Sequence, residues 1–582
     1  MIFDFSSYKV KIRDNEFTTP DGKKYPNTAS ISFFDKNRKE LSYVELGYTD
    51  VNNLYELIKK AEIINLDYCY IEEFSLSKYR QINNLEKEEL VTIKSFTAKN
   101  SVFDAIELTD FSFGVFQEGN VSFQNAGFIH AGVNFTSSVF EDGKVNFNSC
   151  IFKNGNLNFN DTNFGHGGVN FKNSVIGNGN KDFQYAYFGN GDVLFANTVF
   201  NDGDISFINA NFGNGDVSFK VAVFGNGKID FHYATFEEGV LSFERTEFGA
   251  GRVDFRTVEF GNGKINFNRA EFKNGDISFD ESEMLEGKLS FKNANIGDGD
   301  FSFQNSQFPK TEVSFEKALF GAGIVSFNNS RFNSLSLKSC QLNNYFDLRL
   351  SQAKILDLSD TVVRDIIDLT PHGFEVKIDE LDFSGMRLLG RIYINWRANN
   401  IKQSINIQKD TSLWMKAEQF RTLKQNFNST GRYDDEDLAY IEFKRNEALA
   451  ILKDGIKENK NSAIWHYPVY WFKLWVFDKM GLYATSPMRV LISVFFTYLA
   501  LVIIQFVLPF VINTNINCIA QDASLWTKFT DTAYFSAITY LTIGYGDCSP
   551  VGVLRFVAGI EGFIGVFMMA YFTVAFARKV LR

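Results

Sequence analysis

Phenylalanine recurs every twelve residues through the middle of the chain, at Phe111, Phe123, Phe135, Phe147 and onward without a miss to Phe327. A second apolar series trails it by five residues, from Phe116 and Phe128 to Phe332, departing from phenylalanine only at Ile176, Met284 and Ile296. Val, Ile or Leu usually stands two before each first-series ring (Val145, Ile205, Val217), and a small residue two before each second-series one (Ala210, Ala222, Ala234, Ala270). Side chains two apart point to the same side of an extended chain. Each dozen residues therefore predicts two short strands with apolar side chains turned inward. A fixed period sustained this long marks an array of stacked repeats, each burying its apolar face against its neighbours.

The steps between rings alternate five and seven. The two extra residues coincide with Gly-Asn-Gly turns such as Gly213-Asn214-Gly215 and Gly261-Asn262-Gly263. These read as enlarged corners where glycine takes left-handed backbone angles. Four sides then need about two dozen residues per coil and make nine or ten coils, a rod of roughly 45 Å at ~4.8 Å per step. A flatter coil of about a dozen residues is the competing geometry. The five-residue step, a small residue followed two later by Phe or Leu, resembles the units of pentapeptide-repeat proteins. That resemblance implies a right-handed β-helix of roughly square section. Residues 1–95, with mixed strand patterns and a short helix near 52–60, are expected to cap the rod, which occupies 96–410. From 334 to 407 the period loosens and Leu335, Leu337, Leu342, Leu348, Ile355 and Leu358 replace phenylalanine. These are expected to form terminal coils and a closing segment. The residue after the second glycine is Asp204 or Asp216 in some units and Lys144, Lys228, Arg252 or Lys264 in others. Acids do not stack at that level, so the turns read as corners and not as calcium sites.

Beyond the rod the period becomes helical. Phe420, Leu423 and Phe427 share a face in 414–427, which ends before Gly431, and Asp434 and Asp435 open a second helix carrying Leu438, Ile441, Phe443 and Leu449. This pair, 411–462, is placed to couple rod and pore. Residues 463–488 hold Trp465, Tyr467, Tyr470, Trp471, Phe472 and Trp475, a composition suited to the headgroup boundary of a bilayer. Residues 490–512 are uncharged and apolar, and 553–580 are apolar but for Arg555 and Glu561 near their start and the basic residues at their end. Each is long enough to cross about 30 Å of hydrocarbon. Between them, 524–541 reads as a half-membrane helix leading into Thr542-Ile543-Gly544-Tyr545-Gly546-Asp547.

That hexapeptide carries the functional reading. A dehydrated ion in a narrow pore needs oxygens in place of its water shell, and backbone carbonyls aimed at a common axis supply them. Gly544 and Gly546 suit such a segment because some residues must take conformations that a Cβ disfavours. The segment closely resembles the signature filter of the potassium-channel superfamily, with Ile543 where Val is common. The resemblance covers 489–582, and it implies a two-transmembrane α-helical pore that assembles as a homotetramer and conducts K⁺ passively. By it, Thr542, Ile543, Gly544 and Tyr545 offer the carbonyls, Tyr534 and Phe535 belong to an aromatic cuff, and the Tyr545 ring wedges against the wall behind the filter. Asp547 supports the filter from behind, although the pore-helix position that holds a carboxylate in some relatives is Ile538. Gly565 is the hinge candidate of the inner helix, with close helix packing as the alternative. Glu561, ionisable within a span, is expected behind or below the filter, bonded to the pore helix.

Orientation follows from charge. Arg489 precedes the first span, Arg578, Lys579 and Arg582 end the second, and 513–522 has no Lys or Arg, so both termini are expected in the cytoplasm and the protein in the plasma membrane. The start, Met1-Ile2-Phe3-Asp4-Phe5, does not read as a signal peptide. No span carries arginine at every third position, and the chain ends at Arg582, so sensing is expected to enter from the amino-terminal side or from lipid. Of five cysteines, Cys518 and Cys548 both fall on the external side and form a candidate disulfide. A net charge of -10 bears on solubility and does not point to nucleic acid. No organic cofactor and no enzymatic constellation stands out. The rival class is a membrane-anchored pentapeptide-repeat scaffold, for example of the DNA-mimic type; Lys and Arg interrupting its outward positions disfavour it.

Overall fold

The structure is a computed structural model that describes residues 5–581. It forms two compact units, one ending at Gln408 and the other beginning at Lys409. The first four residues and Arg582, which enter the reading of leader and orientation, lie outside the described residues.

The first unit opens with an antiparallel sheet of Ser7–Arg13, Asn27–Phe34 and Glu40–Tyr48. Helix α1, Val51–Lys59, follows, with the Asp50 carboxylate accepting from the Asn52 amide at its start. Parallel stacking follows: Glu40–Tyr48 lies beside Cys69–Glu72, and Ile63–Asn65 lies on Ser95–Thr97. Helix α2, Leu76–Ile82, is inserted between these two strands, capped by Ser75. Arg80 on α2 is buried and donates to the Ser112 carbonyl and hydroxyl at 2.7 and 3.0 Å, which ties the insertion to the coil below it. The antiparallel sheet joins one face of the solenoid edge to edge, with Phe5, Ile31, Phe33, Leu46 and Tyr70 packed beneath.

The coil has four sides and twenty-four residues, which decides between the two expected geometries. One coil runs through Val121–Ser122, Gly127–Phe128, Gly132–Asn134 and Val139–Phe140, and Val145–Asn146 returns to lie on Val121–Ser122. One face accumulates thirteen parallel strands, more coils than the regular array alone supplies, because the segment past 334 continues the stacking. Four ladders of rings fill the interior. Phe111, Phe135, Phe159 and Phe183 stack at 4.6, 4.9 and 5.1 Å, and Phe212 lies 4.6 Å from Phe236 on a second-series face. Neighbouring ladders meet edge to face, as Phe123 and Phe135 do at 81°. Offset stacks and T-shaped contacts are the arrangements that aromatic quadrupoles prefer, and more than half of the chain's 64 phenylalanines find their use here.

The corners bear out the sequence reading only in part: Gly179 and Gly189, in two of the Gly-Asn-Gly turns, have φ of 119 and 56°, but glycine is not the main site of positive φ. Left-handed angles fall at non-glycine residues between the two rings of a unit, such as Asn125, Ser137, Tyr185 and Val221, at φ between 51 and 59°. Gly213, Gly215, Gly261 and Gly263 lie outside that region. They are small for another reason: a Cβ on Gly213 or Gly215 would overlap the carbonyl oxygen of Gly189 or Gly191, one coil earlier. Backbone stacks directly on backbone there. The acids of these turns also face the stack, since Asp204 and Asp216 accept from the amides of Lys228 and Val240, twenty-four residues on, at 2.8 and 2.9 Å.

Past 334 the stack continues through Arg331–Ser336, Gln352–Asp357 and Lys377–Asp382, and helix α3, Ile401–Asn406, packs on the last of these.

The second unit begins with α4, Leu413–Ser429, capped by Ser412, and α5, Tyr433–Glu458, joined through Gly431 at φ 72°. Phe420, Leu423 and Phe427 are fully buried between them. Next come α6, Ala463–Phe472, and a π-helical stretch, Lys473–Lys479, with Trp465, Trp471 and Trp475 exposed. Helix α7, Pro487–Val511, and helix α9, Leu554–Val580, are long and apolar enough to cross a membrane. Helix α8, Leu525–Tyr540, lies between them in sequence and packs on both.

Candidate functional site: the loop after α8

Ser524 starts α8 by accepting from the Thr527 amide, and the helix runs without interruption to Tyr540. Tyr540 shares a 2.8 Å hydrogen bond with Thr497 of α7, and the Tyr498 hydroxyl donates to the Ala533 carbonyl at 2.9 Å. The short helix is thus pinned to its longer neighbour at two levels. The hexapeptide follows at once.

Its backbone alternates. Thr542, Gly544 and Gly546 have φ of 58, 59 and 83°, while Ile543 and Tyr545 lie outside the left-handed region. Both glycines take the angles expected of them, and Thr542 joins them with a Cβ in place. The amides of Ile543 and Gly544 both donate to the Ile538 carbonyl, at 2.8 and 3.2 Å. All peptide bonds here are trans, so each carbonyl points opposite the amide that follows it. The Thr542 and Ile543 carbonyls therefore face away from α8, in the same direction. A row of parallel oxygens is the chemical content of this loop.

Its supports come from three directions. The Tyr534 hydroxyl donates to the Asp547 carboxylate at 2.9 Å. Asp547 thus leans on a phenol one turn before Ile538, the position at which a carboxylate is absent. Phe535 is buried in a cluster with Ile516 and Leu554. Glu561, fully buried on α9, accepts from the Ser536 hydroxyl of α8 and from the Gln505 side-chain amide of α7, so one carboxylate joins all three helices. Bonding to the pore helix was legible from an ionisable residue in a span; Gln505 was not read, although it is the one amide side chain within α7. Gly565 sits where a Cβ would overlap the Tyr540 carbonyl, whereas Gly559 has open space and Gly562 only a contact at 3.8 Å. Close approach of α9 to the end of α8 accounts for Gly565, and α9 is continuous through it.

On the far side of the loop Cys518 and Cys548 are joined as a disulfide, Cα to Cα 5.0 Å. Asn517 and Val551 pair with Ser549 and Asn515 through backbone bonds of 2.9 and 2.8 Å, and Thr514 donates to the Val551 carbonyl. These contacts splice the segment leading out of the hexapeptide to the end of α7. The Tyr545 ring is 70 % exposed on the single chain.

Two apolar helices of membrane length, joined through a half-length helix and a loop of aligned carbonyls, define the pore module of a membrane channel. Residues 489–582 match the family model described as an ion channel. The chain therefore joins an ion-channel domain to a β-solenoid with the stacked phenylalanine ladders expected of pentapeptide-type repeats. Neither the curated proteins nor the solved structures contain a match to this chain.

Proposed function

We propose that this protein is a potassium-selective channel, a homotetramer in which four copies of the Thr542–Tyr545 strand surround the ion. One observation carries the reading: the Ile543 and Gly544 amides are tied to Ile538, leaving successive carbonyls aligned on the opposite side. Carbonyl oxygens from one strand cover one quadrant of an ion, so a closed coordination shell needs four strands about an axis. The exposed Ile543 and Tyr545 side chains suit a loop that packs against neighbouring copies. Permeant K⁺ is the only ion the reading requires, with no organic cofactor and no nucleic acid as partner.

In this reading 489–582 is the pore domain, 463–488 lies at the bilayer surface, 411–462 links pore to rod, and 1–95 caps the 96–410 β-helix. Both termini lie in the cytoplasm and the pore in the plasma membrane. The disulfide beside the loop supports that orientation, since such bonds persist in oxidising compartments, while Cys69, Cys150 and Cys340 are buried free thiols. Gating is sensed on the rod side and reaches the inner helices through the helical pair. The test is ion flux in liposomes containing the purified full chain. Potassium permeability well above sodium is expected, and equal permeabilities would refute selectivity.

A further inference from the structure

The inner helix of the pore domain ends in bases and the second helix of the linking pair begins in acids, and the two meet. Arg578 donates to Asp437 at 2.9 Å and lies 4.5 Å over the Tyr440 ring. Lys579 reaches Asp434 at 3.1 Å and Asp437 at 3.0 Å. The Glu436 and Asp437 side chains are almost fully buried, with Glu436 3.9 Å from Arg578. Acids in the first turn of α5 and bases in the last turn of α9 each complement their own helix dipole. The two helix ends therefore attract each other through side chains and backbone alike.

Two further links close a ring. Arg445, on α5, clamps Asp478 with two bonds of 3.0 and 2.8 Å and also holds Glu442 at 2.7 Å. Asp478 belongs to the π-helical stretch before α7. Tyr571, two turns before Arg578 on the same face of α9, donates to the Phe477 carbonyl at 3.0 Å and accepts from the Ala484 amide at 3.1 Å. A Cβ on Gly481 would stand 2.5 Å from that hydroxyl, so the fit is close. Helix α5, the stretch 473–484 and the end of α9 thus hold one another pairwise.

We propose that the contacts of Arg578 and Lys579 with Asp434, Glu436 and Asp437 form a latch through which the linking pair sets the position of the inner helix, and hence the balance of open and closed pore. The proposal rests on the channel reading above. An inner helix whose last turn is gripped by α5 moves only with α5 or by breaking the latch, and Arg445 and Tyr571 keep that grip in register with the entry to the outer helix.

The experiment records single-channel open probability of the full chain in bilayers for Arg578→Glu, Asp437→Arg, and the two combined. Arg421→Ala, which removes an exposed pair with Glu418 on α4, is the control. Each single reversal is expected to shift the ratio of open to closed pore by about fivefold or more, the lower end of ordinary coupling between sites. The combined exchange restores the pair between positions 437 and 578 while Lys579 keeps Asp434, and it is expected to move the ratio back toward the parent, to less than half the shift of either single reversal. If the single reversals gate as the parent does, the latch is refuted. If they carry no current, the combined exchange decides: recovery upholds the latch, and continued silence overturns it. A parent that conducts no potassium would instead refute the channel reading, so the two failures are told apart.

Discussion

Lys181 occupies a position where the repeat usually places Val, Ile or Leu, two residues before Phe183, stacked between Leu157 and Ile205. It is 1 % exposed, and its ammonium donates to the Asn201 and Asp202 carbonyls at 2.9 and 3.0 Å. Burial pushes its pKa down to about 8 from 10.5, with the charges of Asp202 and Asp204 opposing the fall. The unfolded chain therefore holds this proton more tightly than the folded one, and stability rises with pH wherever that is so. Below about pH 8 the cost of burying the charge is fully present; above about 10.5 both states are neutral and the cost is gone. A shift of this size corresponds to about 3 kcal/mol, of which roughly 2 is recovered between pH 7 and pH 9.5. Because a solenoid opens locally, the assay is hydrogen exchange of the amides around residues 181–207, compared between the parent and Lys181→Met. The methionine variant keeps the packed stem without the charge. It should protect these coils more than the parent at pH 7, by a margin that closes toward pH 9.5. A margin independent of pH would refute the reasoning, because every other titrating group is common to both proteins.

Two further outcomes test the pore. Gly565→Ala is expected to lower potassium flux severely, because the new methyl must displace the Tyr540 carbonyl at the end of the pore helix, an overpacking worth ~1–3 kcal/mol; Gly559→Ala, facing open space, should conduct like the parent, and equal behaviour of the two in the liposome assay would contradict the packing role of Gly565. Tyr534→Phe removes the 2.9 Å bond to Asp547 and about 0.5–1.5 kcal/mol of support for the outer end of the 542–547 loop; faster loss of current during sustained recording is the expected result, and unchanged kinetics would show that Asp547 does not lean on this phenol.

Much of this molecule is legible in its sequence, and the reasons differ by region. The Phe111 and Phe116 series announced a solenoid because every coil repeats the same burial problem, and a repeated problem leaves a period in one dimension. The apolar helices and the positive φ of Gly544 and Gly546 were equally plain, since hydrocarbon demands long apolar runs and a loop of alternating backbone angles favours glycine. The linking pair was visible in Phe420, Leu423 and Phe427. Its acids were not read as partners of Arg578 and Lys579, because nothing in spacing relates positions more than 130 residues apart.

Local chemistry written into the order of residues determined what kinds of surface this chain has: ringed strands, apolar helices, and a glycine-bearing turn. Only the tertiary structure decided how those surfaces meet. A twelve-residue period fits a coil of twelve or twenty-four, and the choice lies in whether Phe111 stacks on Phe123 or on Phe135. Gly213 is equally compatible with a strained turn and with close backbone stacking, and it took the neighbouring coil to show the second. The partners of Glu561, the seat of Gly565 and the pairing of Cys518 with Cys548 are likewise set by contacts across helices and loops. Such contacts depend on packing in three dimensions, to which the spacing of residues along a chain is blind.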